Sequence, residues 1–166
     1  MKILRVNTSD LQVSFEDLPK EWMIIGGRGL SAEILNKEMS PEVDPLSPEA
    51  KLIIAGGPLA GTLAPSCGRL SVGGKSPLTL GIKEANSGGP VAQKLDRLGI
   101  RAIVIEGAPK DGSLYILKVT NEGASLEDAA RFKGMRNYDL VKSLHDTVNE
   151  KVSILSIGVA GEKGWK

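Results

Sequence analysis

The sequence has one cysteine, Cys67, in 166 residues. A single thiol excludes an internal disulfide, and it excludes any zinc or iron–sulfur ligand set drawn from this chain alone. A reducing compartment is the expectation, and with it the cytoplasm. Histidine is equally scarce. His145 stands alone on the edge of an apolar helical stripe, with no second histidine or carboxylate motif nearby, which suits a structural role better than catalysis. No apolar run approaches the ~20 residues that a membrane-spanning helix needs. The N-terminus alternates (Ile3, Leu4, Val6) and does not run from a basic patch into a long apolar stretch, so it does not read as a signal peptide. Neither sign of charge is in excess, with 21 Lys+Arg against 20 Asp+Glu. That excludes a nucleic-acid arm, a polybasic membrane patch and an acidic tail, and leaves room for a local basic pocket.

What the chain has in plenty is glycine, 20 residues, roughly twice ordinary usage. The glycines fall in clusters without a period, which rules out collagen-like and low-complexity readings. Between the clusters the apolar pattern defines elements. Ile3 to Thr8 and Leu11 to Asp17 read as a hairpin around Ser9-Asp10. Leu30 to Met39 reads as a helix with Leu30, Ile34, Leu35 and Met39 on one side. Leu52 to Ala55, Arg69 to Val72 and Leu78 to Ala85 read as strands. Pro90 to Leu98 is a helix that Pro90 opens and Gly99 closes. Ala102 to Ile105 is an apolar strand, expected to pair with Leu114 to Val119 through a Lys110-Asp111-Gly112 turn. Asn137 to Val148 reads as a last helix and Val152 to Ile157 as a last strand. Strands outnumber helices and arrive in groups, so the expected class is α+β, mixed β-sheets with about three helices, in one domain over residues 1–166. The last strand runs into Gly158 and Gly161 and stops soon after, which suggests a fragment of a longer protein.

Four stretches invite a chemical reading. Gly27-Arg28-Gly29-Leu30-Ser31-Ala32 fits the form G-x-G-x-x-A of a dinucleotide fingerprint. The preceding apolar stretch is only Met23 to Ile25, however, and no acidic residue follows the next strand to hold a ribose. Gly74-Lys75-Ser76 resembles the end of a phosphate loop, but Arg69 stands where its first glycine belongs, and Pro77 follows. Gly61 to Arg69 is a loop of small residues against which a ligand can lie. Its Arg69 is either a fork for phosphate or carboxylate oxygens or a plain surface arginine at a strand start. Asn86-Ser87-Gly88-Gly89, at the head of the Pro90 helix, is the best anion site on residues alone; a capping turn would need only one of the four. Cys67 has no partner base in sequence and reads as a packing residue. The chain offers no nucleophile with a base, no carboxylate pair and no metal set. That is the profile of a binding wall.

Ten stretches in order resemble the aldehyde:ferredoxin oxidoreductase family. They are Ile3 to Asn7, Gly26 to Leu30, Asp44 to Glu49, Lys51 to Ala55, Gly57-Pro58-Leu59 with Gly61-Thr62, and Ala64-Pro65 with Gly68-Arg69. Lys75 to Thr79, Ala85 to Gly89, Val104 to Gly107, and Ser156-Ile157-Gly158 with Ala160-Gly161-Glu162 complete the set. The resemblance implies an N-terminal domain on which a bis-pterin cofactor of tungsten, sometimes molybdenum, rests. It implies that Arg69 lies between a pterin and a 4Fe–4S cluster. It further implies that the Asn86 carbonyl meets a magnesium ion joining the pterin phosphates, and that the Ser87-Gly88 backbone, with Gly89 beyond it, lies against the cofactor. The parent would oxidise an aldehyde to a carboxylic acid and pass electrons to ferredoxin, with the metal and pterin doing the chemistry. Departures accompany the match. The cluster cysteines and a second pterin loop belong to later segments, the usual Trp-Gly before the first strand is absent, and Cys67 stands where a smaller residue is expected. The chain is therefore expected to be inactive alone, to need the remaining domains, and to self-associate, possible homodimer included. Two other readings stand beside this one: a non-catalytic scaffold that kept the fold, and a nucleotide-binding domain using Gly27 to Ala32.

Overall fold

The computed structural model describes residues 1–109, 111–148 and 151–164. The first hairpin forms where alternation predicts it, β1 (Lys2–Asn7) against β2 (Gln12–Asp17), antiparallel from Lys2↔Asp17 to Asn7↔Gln12. A 3₁₀ turn, Lys20–Trp22, follows and buries Trp22. Helix α1 runs Gly27–Glu38, starting earlier than the apolar stripe because the glycine cluster itself supplies the first turn. Met39 leaves in extended conformation, and Pro41 stands two residues on, where a helix cannot continue. Strands β3 (Leu52–Gly56), β4 (Leu70–Lys75) and β5 (Ile82–Ser87) form an antiparallel meander. Helix α2 (Val91–Arg97) returns the chain to β6 (Ile100–Glu106), which Gly99 permits at φ +77. The remainder is a ribbon of β7 (Tyr115–Val119) and β8 (Ala124–Asp128), helix α3 (Asn137–Val148) and the short helix α4 (Gly158–Glu162).

The main sheet has six strands in the order β2-β1-β6-β3-β4-β5. Only β1 and β6 are parallel; every other pair is antiparallel. This is the mixed sheet of an α+β fold. Strand alternation sends side chains to two faces. Ile3, Ile53, Ala55, Ala102 and Val104 pack with Leu30, Ile34 and Leu35 of α1 and with Trp22. Leu4, Val6, Ile54, Leu70 and Ile103 pack with Ala92 and Leu95 of α2, and Leu117 and Leu126 of the ribbon close over them.

Two polar anchors fix the helices to this sheet. Arg5 of β1 donates to both carboxylate oxygens of Glu38 at the end of α1, at 2.6 and 2.7 Å, and to Glu16 across the hairpin at 2.6 Å. Hydrogen bonding to Glu38 raises the guanidinium pKa further against the cost of burial. In β6 the register slips between Lys2↔Ile100 and Ile3↔Ala102, so Arg101 is the extra residue of a bulge. Arg101 is buried, and its Nε lies 3.3 Å from Asp96 of α2.

Several expectations change. β7 pairs with β8, not with β6, whose neighbours are β1 and β3. The turn expected to join β7 to β6 includes Lys110, which lies outside the described residues; Gly112 donates its N–H to Pro109 at 3.2 Å there. β8 was not foreseen, because its single large apolar residue is Leu126. The Leu78 to Ala85 strand begins later, at Ile82: Leu78 to Gly81 form a tight turn in which Ser76 N–H meets Gly81 O at 2.9 Å. Residues 152–157 are not a strand, since no ladder partner meets them among the described residues. Among the described residues four α-helices stand where about three were expected, the fourth being α4, where the sequence reads as a glycine turn. No helix among the described residues is long and apolar enough to cross a membrane.

Candidate functional site

Register alone brings the candidate loops together. Gly56 pairs with Leu70, and Leu70 pairs with Ser87. The end of β3, the start of β4 and the end of β5 therefore lie side by side at one end of the sheet's strands. The Gly57-Pro58-Leu59 loop leaves from this end, the Gly61 to Arg69 loop returns to it, and Ser87 to Pro90 departs from it. The start of α1 arrives at the same place. A Cβ on Gly26 would stand 2.6 Å from Gly56 O and 2.8 Å from Pro58 Cδ. Only glycine lets the two backbones approach so closely.

Between these loops lies an open cleft of ≈ 330 Å³. Gly26 and Gly27 form one side, Gly57 to Leu59 another, and Ser66, Cys67 and Arg69 a third, with Ser71 and Asn86 at the base. Two predicted site residues, Arg69 and Asn86, meet here. Arg69 Nε donates to Asn86 Oδ1. Ser87, Gly88 and Gly89 are exposed and lie outside the cleft lining, on the run from β5 towards α2. Asn86 and Ser87 are the last residues of β5, not part of a capping turn. Among the described residues no side chain caps α2 at Pro90, and Ser87 Oγ donates to Gly88 O at 3.1 Å.

Sequence reading missed Glu84. Its carboxylate accepts from Asn86 Nδ2 at 2.9 Å and from Ser71 Oγ at 2.7 Å, and its other oxygen lies 3.4 Å from Arg28 Nε. The Asn86 amide first, then the Ser71 hydroxyl and Arg28, hold the carboxyl below its ordinary pKa. Only cross-strand pairing could have revealed it, because Ser71 faces Asn86 across β4 and β5. Cys67 lines the cleft as a half-buried thiol that donates to Ala64 O at 3.0 Å. His145 is exposed on α3, whose apolar residues are at most half-buried. The dinucleotide fingerprint lacks its context, since α1 is entered from a turn and no strand feeds Gly27. No cluster of His, Cys, Asp and Glu suited to a metal occurs among the described residues.

The cleft is thus walled by glycine backbone and carries a guanidinium and an amide, with no carboxylate among the described residues of its lining. Such a donor set suits the phosphate oxygens of a large anionic cofactor. Fold and cleft together define an α+β domain with a glycine-walled cleft where the strand ends meet. The chain belongs to the aldehyde ferredoxin oxidoreductase family, matching its N-terminal domain over residues 3–166. It is 47% identical over 167 residues to the tungsten-containing aldehyde ferredoxin oxidoreductase of Pyrococcus furiosus, covering 97% of this chain and 27% of the relative. It is 45% identical to the Pyrococcus abyssi protein of the same name, with the same coverage. Among solved structures it resembles a chain of the active site complex BamBC of benzoyl coenzyme A reductase in complex with 1,5 dienoyl-CoA. There the TM-score is 0.85 and the identity 30%, over 90% of this chain and 23% of that one. The chain spans about a quarter of the length of the curated relatives it matches.

Proposed function

We propose that this chain forms one wall of the cofactor site of a tungsten-containing aldehyde:ferredoxin-type oxidoreductase. The observation that carries the reading is the meeting of Arg69 and Asn86 in a glycine-walled cleft, in a chain whose relatives are named as tungsten-containing enzymes. The cofactor would be a tungsten or molybdenum bis-pterin with magnesium, held here by Arg69, the Asn86 carbonyl and the Ser87-Gly88-Gly89 backbone. When bound, it supplies the redox chemistry that oxidises an aldehyde and passes electrons through a 4Fe–4S cluster to ferredoxin.

The chain's own residues bind and orient. Arg69 keeps a permanent charge and leaves its Nη groups unbonded among the described residues, so they are available to anionic oxygens. β5 is an edge strand, so alternate carbonyls along it face away from β4. Through the Asn86 carbonyl such an edge can offer magnesium the hard oxygen it prefers. Gly57, Gly88 and Gly89 have no atom within 4 Å of where a Cβ would stand, so a flat ligand can lie on their backbone. Substrate choice belongs to other parts of the protein. The cytoplasm is the setting that suits a ferredoxin partner.

The test is the whole protein that carries this chain, purified without oxygen. Tungsten or molybdenum, pterin, and aldehyde-dependent reduction of ferredoxin are expected together. Active protein containing neither metal nor pterin would falsify the reading.

A further inference from the structure

We propose that Glu84 is a positioning residue that presets Arg69 and Arg28 as two guanidinium contacts for anionic oxygens at the mouth of the cleft. The proposal rests on the cofactor reading above, and goes beyond it by giving the wall a built-in orienting group and a second arginine. Donors and acceptors decide the orientation. An ionised carboxylate only accepts, so the face of the Asn86 amide turned to Glu84 must be its NH₂. That leaves Oδ1 turned to Arg69, whose Nε only donates. Flipping the amide would set NH₂ against N–H and oxygen against oxygen. Ser71 Oγ, itself buried, holds the same carboxylate oxygen from the other side at 2.7 Å. The second carboxylate oxygen faces Arg28 Nε at 3.4 Å.

Burial separates the anchor from what it holds. The Glu84 side chain is 10% exposed and that of Arg28 78%; Arg69 is exposed as well. Both arginines are engaged through Nε alone among the described residues. Their Nη faces remain for a ligand: Arg69 lines the cleft, Arg28 follows the lining residue Gly27, and the two guanidinium groups outweigh the one recessed carboxylate. An Nε–acceptor contact costs a guanidinium little of its binding capacity and removes much of its rotamer freedom before the ligand arrives.

The experiment compares whole protein carrying Glu84→Gln, Glu84→Leu, Arg69→Met with Arg28→Met, and all three leucine and methionine changes together. Tungsten or molybdenum and pterin per polypeptide are measured, with the rate of cofactor loss on anaerobic dialysis and a thermal melt to register folding. Glu84→Gln keeps an acceptor for Asn86 and Ser71 but turns its NH₂ towards Arg28 Nε, so it is expected to keep the Arg69 contact, give up the Arg28 one and speed cofactor loss by about threefold, less than Glu84→Leu. Glu84→Leu is expected to speed cofactor loss about tenfold, the scale on which groups that orient ligands act. Added to the two methionine changes, Glu84→Leu is expected to change nothing further, because its effect passes through the arginines. Wild-type retention by Glu84→Leu, or an equal loss on the methionine background, overturns the positioning role and leaves the cofactor reading standing. Wild-type retention by the double methionine variant overturns the cofactor reading and the positioning role with it.

Discussion

At Glu84, hydrogen bonds from Asn86 and Ser71 and the nearby Arg28 hold the carboxyl below its ordinary pKa. A folded-state pKa below the unfolded value makes a contribution that is present above the unfolded pKa and is lost as pH falls through the folded one. The stability gap between wild type and Glu84→Gln, read by urea melts, should therefore be constant at neutral pH. It should close only as pH drops below the usual glutamate range. A gap that widens in acid would contradict the bonding described. Gly73 poses a steric question. A Cβ there would come within 2.7 Å of Ser31 Cβ, where α1 crosses β4. Ser31 is buried and cannot give way cheaply. Gly73→Ala should cost about 1–3 kcal/mol in denaturant melts, the usual penalty of overpacking; a neutral result would mean that α1 sits further from the sheet.

Elements hold together through a few such contacts. α2 is short, and it is tied to β6 by the buried pair of Asp96 and Arg101. Burial raises the Asp96 carboxyl above its ordinary pKa, while Arg101 pulls the other way. Asp96→Ala leaves a buried guanidinium without its partner and should destabilise by about 3 kcal/mol. Hydrogen exchange should show the loss first in α2 and the start of β6. Which elements the sequence discloses follows from the same physics. β1, α1 and α2 announce themselves because burying a face imposes a period on apolar residues, and β3 and β6 because burying both faces makes a continuous apolar run. β8 does not, since Leu126 alone carries its apolar side and its pairing to β7 supplies the rest. Val152 to Ile157 has the composition of a strand but, among the described residues, joins no ladder, so composition misleads there. For the site, Arg69 and Asn86 were legible as residue types suited to an anion. Glu84 was not, because its role exists only across strands, and the start of α1 joins the cleft only through tertiary contact.

At the scale of the whole molecule, large apolar side chains stand exposed on the cleft lining and on the chain segments adjoining it. Ile24 is 85% exposed, Leu59 59% and Leu63 103%. Expressed alone, the 166-residue chain should self-associate in light scattering and bind an apolar dye, and Leu63→Ser with Ile24→Ser should reduce both. The central claim is that the cleft edge at Arg69 and Asn86 faces the metal–pterin group. The most direct measurement is anomalous diffraction at the tungsten or molybdenum edge from crystals of the whole protein. A metal peak is expected opposite the open side of this cleft, with pterin phosphate density reaching Arg69 and magnesium at the Asn86 carbonyl. A peak elsewhere, with the cleft filled by protein side chains, would contradict that claim.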